Sequence, residues 1–287
     1  IELYKKNSEP HIGMARACGY LGIVYESLGA FDKAKALLEK SLSIHQKHSK
    51  NSIGHAWSLS HLASVYKNIG DNGRARELYE QSLQIYRTYS PNHVGVAWVC
   101  GDLGSIYVKL GEMGRAKDLL EESLAIYRKH FFEDHIYVAH ALVHLGAFHR
   151  EIKDFEKAKN LLKKGLVIIE KAYGKDHAET GSVLKDVGKV FLAEGNLKAA
   201  EELMGQTFAV FHKVKHPDKY EVLEIMAEIY QKKSLATLNK GELQQAKHLR
   251  IQAHSYLKEA LKMVKAHFPE DSPHSTRIHS KIKNGAS

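Results

Sequence analysis

The sequence predicts an all-α fold, an α-solenoid of stacked helix-turn-helix hairpins wound as a right-handed superhelix. Three observations predict it. A template of small pair, aromatic residue and Ala recurs six times along the 287 residues. The turns between its halves return at a near-constant interval, and within each unit the apolar residues fall at helical spacing.

Residues 1–10 read as the tail of a preceding repeat, because Tyr4-Lys5-Lys6-Asn7-Ser8-Glu9-Pro10-His11 parallels Tyr86-Arg87-Thr88-Tyr89-Ser90-Pro91-Asn92-His93. The native protein is therefore expected to continue upstream. Repeat 1, residues 11–52, carries Leu21-Gly22 with Tyr25 and Ala34. Repeat 2, residues 53–93, carries Leu62-Ala63 with Tyr66 and Ala75, and repeat 3, residues 94–135, has Leu103-Gly104 with Tyr107 and Ala116. Repeat 4, residues 136–177, has Leu145-Gly146 with His149 and Ala158. Repeat 5, residues 178–218, has Val187-Gly188 with Phe191 and Ala200.

Repeat 6, residues 219–270, begins with Met226-Ala227 and Tyr230 and then departs. Ala253, Leu257, Ala260 and Leu261 match Ala116, Leu120, Ser123 and Leu124 only across an interval 14 residues longer than in repeat 3. An insertion near residues 232–245 and an extended or irregular hairpin are expected. Residues 271–287 read as a polar, frayed tail.

Gly29, Gly70 and Gly111 follow one another at 41 residues, and Gly195 lies 84 beyond Gly111, with Lys153 in the intervening turn. In each unit a small residue of the first helix (Gly22, Ala63, Gly104, Gly146, Gly188, Ala227) lets the second approach closely. Asn92, Asp134 and Asp176 stand where they would cap the following helices, and the prolines fall in junctions or the tail.

The Leu-Gly/Ala-x-x-Tyr and Gly-x-x-x-x-Ala patterns carry the signature of tetratricopeptide repeats. The period exceeds the usual 34 by about two helical turns, one for each helix, which keeps the buried faces in phase. At this length, and with junctions such as Tyr173-Gly174-Lys175-Asp176-His177, the chain resembles repeats of the kinesin light chain type over nearly its whole length. Such repeats tend to carry paired asparagines before the anchor Leu that hold a bound peptide. Here Ser60-His61, Gly101-Asp102, Val143-His144 and Lys185-Asp186 stand instead, so the family's cargo specificity does not carry over.

The resemblance implies an interaction module, an adaptor or scaffold, whose first helices line the inner curve and hold a protein or peptide. By register, the ligand-facing candidates are Trp57, Ser60, His61, Ser64, Lys67, Trp98, Asp102, Ser105, Lys109, His140, His144, Arg150, Lys185 and Lys189. Trp57 and Trp98 are the only tryptophans and share one register, which fits either wedges between hairpins or an aromatic platform for a peptide. Groove histidines would strengthen binding of an acidic partner below about pH 6.5. A domain that binds a segment of its own parent chain, or the repeat region of a switched signalling protein, is the alternative function.

The formal charge of +9 admits an acidic partner. Lys and Arg are spread over the second helices, without the aromatic interleaving of nucleic-acid stripes. No apolar run spans a bilayer, and Cys18 and Cys100 repeat at an apolar register, so the chain is read as cytoplasmic, without membrane insertion or disulfides. His140 and His144, four apart, could share a metal with Asp102, yet no metalloprotease or paired-cysteine motif supports one. Ser60, His61 and Asp102 lack an oxyanion hole or a nucleophile turn. The reading is therefore no enzyme, no cofactor, no metal and no small-molecule substrate.

Overall fold

The helical spacing of the sequence resolves into thirteen helices and no strand among the described residues of a computed structural model, 11–268 and 272–286. The expected repeat tail at 1–10 lies outside them. The helices are α1 (Ile12–Ser27), α2 (Phe31–His48), α3 (Ile53–Ile69), α4 (Asn72–Tyr89), α5 (Val94–Leu110) and α6 (Met113–His130). They continue with α7 (Ile136–Glu151), α8 (Phe155–Tyr173), α9 (Ala178–Glu194), α10 (Leu197–Lys213), α11 (Lys219–Leu238), α12 (Leu243–His267) and α13 (Pro273–Ala286). They fall into two compact units, one ending at Glu133 and the other beginning at Asp134.

In the first unit α1 packs on α2, α3 on α4 and α5 on α6, while α2 also touches α3 and α4 touches α5. The second unit repeats the scheme with α7/α8, α9/α10 and α11/α12, and adds α13 against α12. Within each hairpin the close approach rests on the small residue. A Cβ on Gly22, Gly104 or Gly146 would lie 2.7–2.8 Å from a Leu of the facing helix (Leu38, Leu120, Leu162), and one on Gly188 would lie 2.3 Å from Met204. The backbone carbonyls of Ala34, Ala116, Ala158 and Ala200 close the same contact at 3.3–3.7 Å. Small residues on both helices thus bring the pair together.

A second pattern runs through the second helices. Ser82 Oγ donates to the Ala56 carbonyl and Ser123 Oγ to that of Ala97, each at 2.7 Å. Gly165 occupies the same register in α8, where a Cβ would meet the Ala139 carbonyl at 3.1 Å. Ser, Ser and Gly are three answers to one close approach.

The turns behave as the glycine spacing requires. Gly70, Gly111 and Gly195 end α3, α5 and α9 with φ of 91°, 79° and 88°, and Lys153 adopts φ 63° after α7. Left-handed backbone disfavours a side chain, so Lys153 holds a conformation that glycine takes at no steric cost.

Two expectations are corrected. The caps of α5, α7 and α9 are His93, His135 and His177, whose Nδ1 atoms accept from the backbone two residues on, as His11 does for α1. Asp134 and Asp176 instead accept from Lys171 and Lys213, and the Asn92 carbonyl meets His130 Nε2 at 2.6 Å. The residue one place later wins because its ring also stacks on the preceding helix: His93 on Tyr86, His177 on Tyr173, at 5.1 and 4.5 Å.

The second correction concerns the tail. Residues from Pro273 form a helix rather than a frayed end. Ile278 is buried, Arg277 grips Glu224, and His274 lies against Tyr220 and Phe268. In the same hairpin α11 and α12 run for 20 and 25 residues, against 16–17 and 17–19 in the others, so the extra residues lengthen both helices.

Candidate interaction surface

The first helices of neighbouring hairpins touch within each unit, α1 with α3 and α3 with α5. Their shared register draws the aromatic candidates together in the first unit. Tyr20 meets Trp57 edge-on at 5.3 Å, Trp57 meets His61 at 4.4 Å, and His61 meets Trp98 at 4.5 Å. A Cβ on Gly19 would lie 2.4 Å from the Trp57 ring, so this indole is wedged against the preceding hairpin. Trp57 is nonetheless only half-buried, as are His61 and Trp98, and Tyr20 is 63% exposed. Trp57 is thus a wedge between hairpins within a row of rings that stays partly open. Tyr20 joins it through its place one residue before Leu21, the register of His61.

Polar candidates have partners in the next hairpin. Lys67 Nζ lies 2.5 Å from Asp102, Lys185 Nζ 2.5 Å from Glu221, and Arg150 3.6 Å from Asp186. Ser64 Oγ and Asn68 Nδ2 donate to Glu26 at 2.6 and 2.8 Å. Lys189 lies 3.7 Å from Asp186. All but the Lys189–Asp186 pair, which lies within α9, strut successive first helices.

Ser60, Asp102 and Lys185 are buried, and Ser60 Oγ is turned back to the Trp57 carbonyl. A ligand resting on the helices does not reach Ser60. Ser105 Oγ likewise donates to the Gly101 carbonyl, though its residue stays partly open. Lys109 is exposed; His140, His144 and Arg150 in the second unit are half-buried. The structure therefore gathers Trp57, His61 and Trp98, and spends Ser60, Asp102 and Lys185 on the stack itself.

Burial shapes the ionisation here. Desolvation holds the His61 imidazole down at about 4, with the nearby Asp102 carboxylate only partly opposing it. The expectation that groove histidines charge just below neutrality is therefore corrected for His61, which stays neutral until the medium is strongly acid. Lys185 shows the opposite balance. Burial opposes its charge, yet Glu221, Asp218 and Asp186 outweigh it and hold the ammonium above its ordinary range.

Cys18 and Cys100 are both free and buried, and burial raises both thiols. No described helix is long and apolar enough to cross a membrane. Among the described residues no group of three or more His, Cys, Asp and Glu is arranged to hold a metal.

Paired helices with small residues at each crossing agree with the comparison to known proteins. Tetratricopeptide repeat models match residues 53–129 and 137–212, and a second such model matches 14–51. The chain belongs to the tetratricopeptide repeat family. Among solved structures, it is similar to a putative kinesin light chain with nearly identical TPR-like repeats from Podosopora anserina. That likeness has 24% identity and a TM-score of 0.53, over 72% of this chain and 99% of that one. BtubC (BKLC) from P. vanneervenii is similar at 18% identity and TM-score 0.55, over 79% and 91% of the two chains. The Rap protein complexed with competence and sporulation factor is similar at 15% and 0.65, over 95% and 75%. Comparison with curated proteins gives no match. The tetratricopeptide chain is thus a kinesin light chain-like repeat protein in fold, with the architecture of a protein-interaction scaffold.

Proposed function

We propose that this tetratricopeptide chain is a non-catalytic adaptor or scaffold of the cytoplasm that binds a protein or peptide segment along its first-helix face. The carrying observation is the row Tyr20, Trp57, His61 and Trp98, in which rigid, partly open rings from three successive hairpins stand in contact, edge-on or tilted. Aromatic side chains of this kind dominate binding hot spots, because they offer much surface for little conformational entropy. Lys109 and the half-open Ser64 and Ser105 border them, and His140, His144, Arg150 and Lys189 carry the same register in the second unit. The similar Rap structure, solved with competence and sporulation factor, makes a bound partner a natural use of this fold.

The test selects a random-peptide library on the full chain and measures each binder against Tyr20→Ala, His61→Ala and Trp98→Ala. At least one change is expected to weaken binding by about tenfold or more, the effect of losing one hot-spot side chain. A selection in which no binder at all responds to any of the three would remove the first-helix face from the function.

A further inference from the structure

The insertion in the last hairpin builds a groove of its own. The lengthened α11 and α12, with α13 laid against them, enclose a groove of about 380 Å³. Leu235 and Leu238 of α11 and Leu257 of α12 form its apolar lining; Arg250 and His254 of α12 and Lys281 of α13 supply the polar part. Leu235 and Leu238 are 61% and 46% exposed, a cost in water that a covering partner relieves.

Charge says what kind of partner fits. Among the described residues no acidic side chain lines the groove. At its α13 side the buried Glu224 carboxylate accepts from both Arg277, at 2.6 Å, and Lys281, at 2.9 Å, so one negative charge faces two positive ones. Helices α12 and α13 together hold eight Lys and Arg against a single acid, Glu259. Helical spacing places Lys247, Ile251, Lys258, Lys262 and Lys265 on one exposed face of α12, beside the groove and opposite its buried Ala253 and Ala260. Much of the excess charge of the chain is thereby collected at one end of the second unit.

We propose that this groove is a docking site for an acidic polypeptide segment carrying bulky apolar side chains. The apolar side chains enter between Leu235, Leu238 and Leu257, and the carboxylates lie along Arg250, His254 and the lysine face of α12. A recess bounded by three helices suits a chain segment better than a flat bilayer. Among the described lining residues no Phe, Tyr or Trp offers nucleic-acid bases a broad stacking platform. The site is separate in sequence and in helices from the aromatic row of the first unit, and neither reading depends on the other.

The experiment selects a random-peptide library on the full chain and counter-selects it on a Leu235→Glu, Arg250→Glu double variant. Retained fold is checked by circular dichroism and thermal melting. Clones specific to the natural groove should be rich in Asp and Glu with Leu, Ile or Phe among them. Synthetic peptides from them should lose about tenfold in affinity with either single variant and with added salt, and nothing with Trp98→Ala. Should the double variant fail to fold, the exposed Arg250→Glu change alone serves for counter-selection. Absence of differential clones, or clones without acidic enrichment, would overturn the proposal. So would phosphatidylserine vesicles or a single-stranded oligodeoxynucleotide that bind the chain and are released by these variants, since either would give the groove to lipid or nucleic acid.

Discussion

His61 sits between two tryptophans and beside a carboxylate, and the contest between burial and charge there decides its behaviour. Its imidazole titrates at about 4 in the folded chain, below the roughly 6.5 of an unfolded one. The unfolded chain therefore takes up the proton first. The stability that this residue contributes is whole above about pH 6.5 and is lost as pH falls toward 4. Between pH 7.5 and 5 the loss amounts to about 2 kcal/mol, from a shift of this size. Urea unfolding at the two pH values should show that loss in the wild type and a smaller one in His61→Gln, which keeps a neutral polar side chain among the rings. Identical pH slopes in both proteins would mean that the ring is solvated and the row around it open.

At the scale of the helix, four of the six hairpins depend on one contact without a side chain on one side. Gly104 faces Leu120, and even a Cβ there would lie 2.7 Å from the Leu120 side chain, with the Ala116 carbonyl behind it at 3.4 Å. Alanine serves this register in α3 and α11, so a methyl group is accommodated where the facing helix yields. Valine adds branches for which there is no room. Gly104→Val is expected to cost about 1–3 kcal/mol, as overpacking does, offset little by the gain in helix propensity. Thermal unfolding followed by circular dichroism measures it; an unchanged midpoint would show that α5 and α6 are not held at this distance.

These contacts were legible in the sequence because they repeat. Leu21-Gly22, Leu103-Gly104 and Leu145-Gly146 expose the register by recurrence, and the turn glycines fix the period even where Lys153 interrupts them. The caps were not legible in the same way, since Asn92, Asp134 and Asp176 have the better intrinsic propensity, whereas His93 and His177 add stacking on the preceding helix and His135 a ring contact with Tyr137. Nor were the struts. A lysine and an aspartate 35 residues apart, as Lys67 and Asp102 are, announce nothing until the stack sets them side by side. For that reason Ser60, Asp102 and Lys185 read as ligand groups from register alone, whereas the closeness of Trp57 and Trp98 was legible because the two tryptophans of the chain share one register in adjacent repeats.

For the molecule as a whole, stability in a repeat chain is close to a sum of hairpins and the interfaces between neighbours, so each unit is set by its own contacts. The second unit contains three complete hairpins and a closing helix. Its cores include Ala139, Leu162, Ile169 and Val183 about α7 to α9, and Met204, Phe211, Val222 and Ile229 about α9 to α11. At its far end α13 covers α11 and α12 through Ile278, the Tyr220, Phe268 and His274 rings, and the Arg277–Glu224 pair. Residues 134–287 expressed alone are therefore expected to fold, with helical circular dichroism and a cooperative thermal transition. Removing α13 at residue 268 should lower that transition, because it uncovers Tyr220 and leaves the Glu224 carboxylate, 4% exposed in the intact chain, without its guanidinium and ammonium partners. A fragment that binds hydrophobic dyes and melts without a transition would show that the second unit is held up from outside itself. Equal midpoints with and without α13 would make the closing helix an ornament rather than a cap.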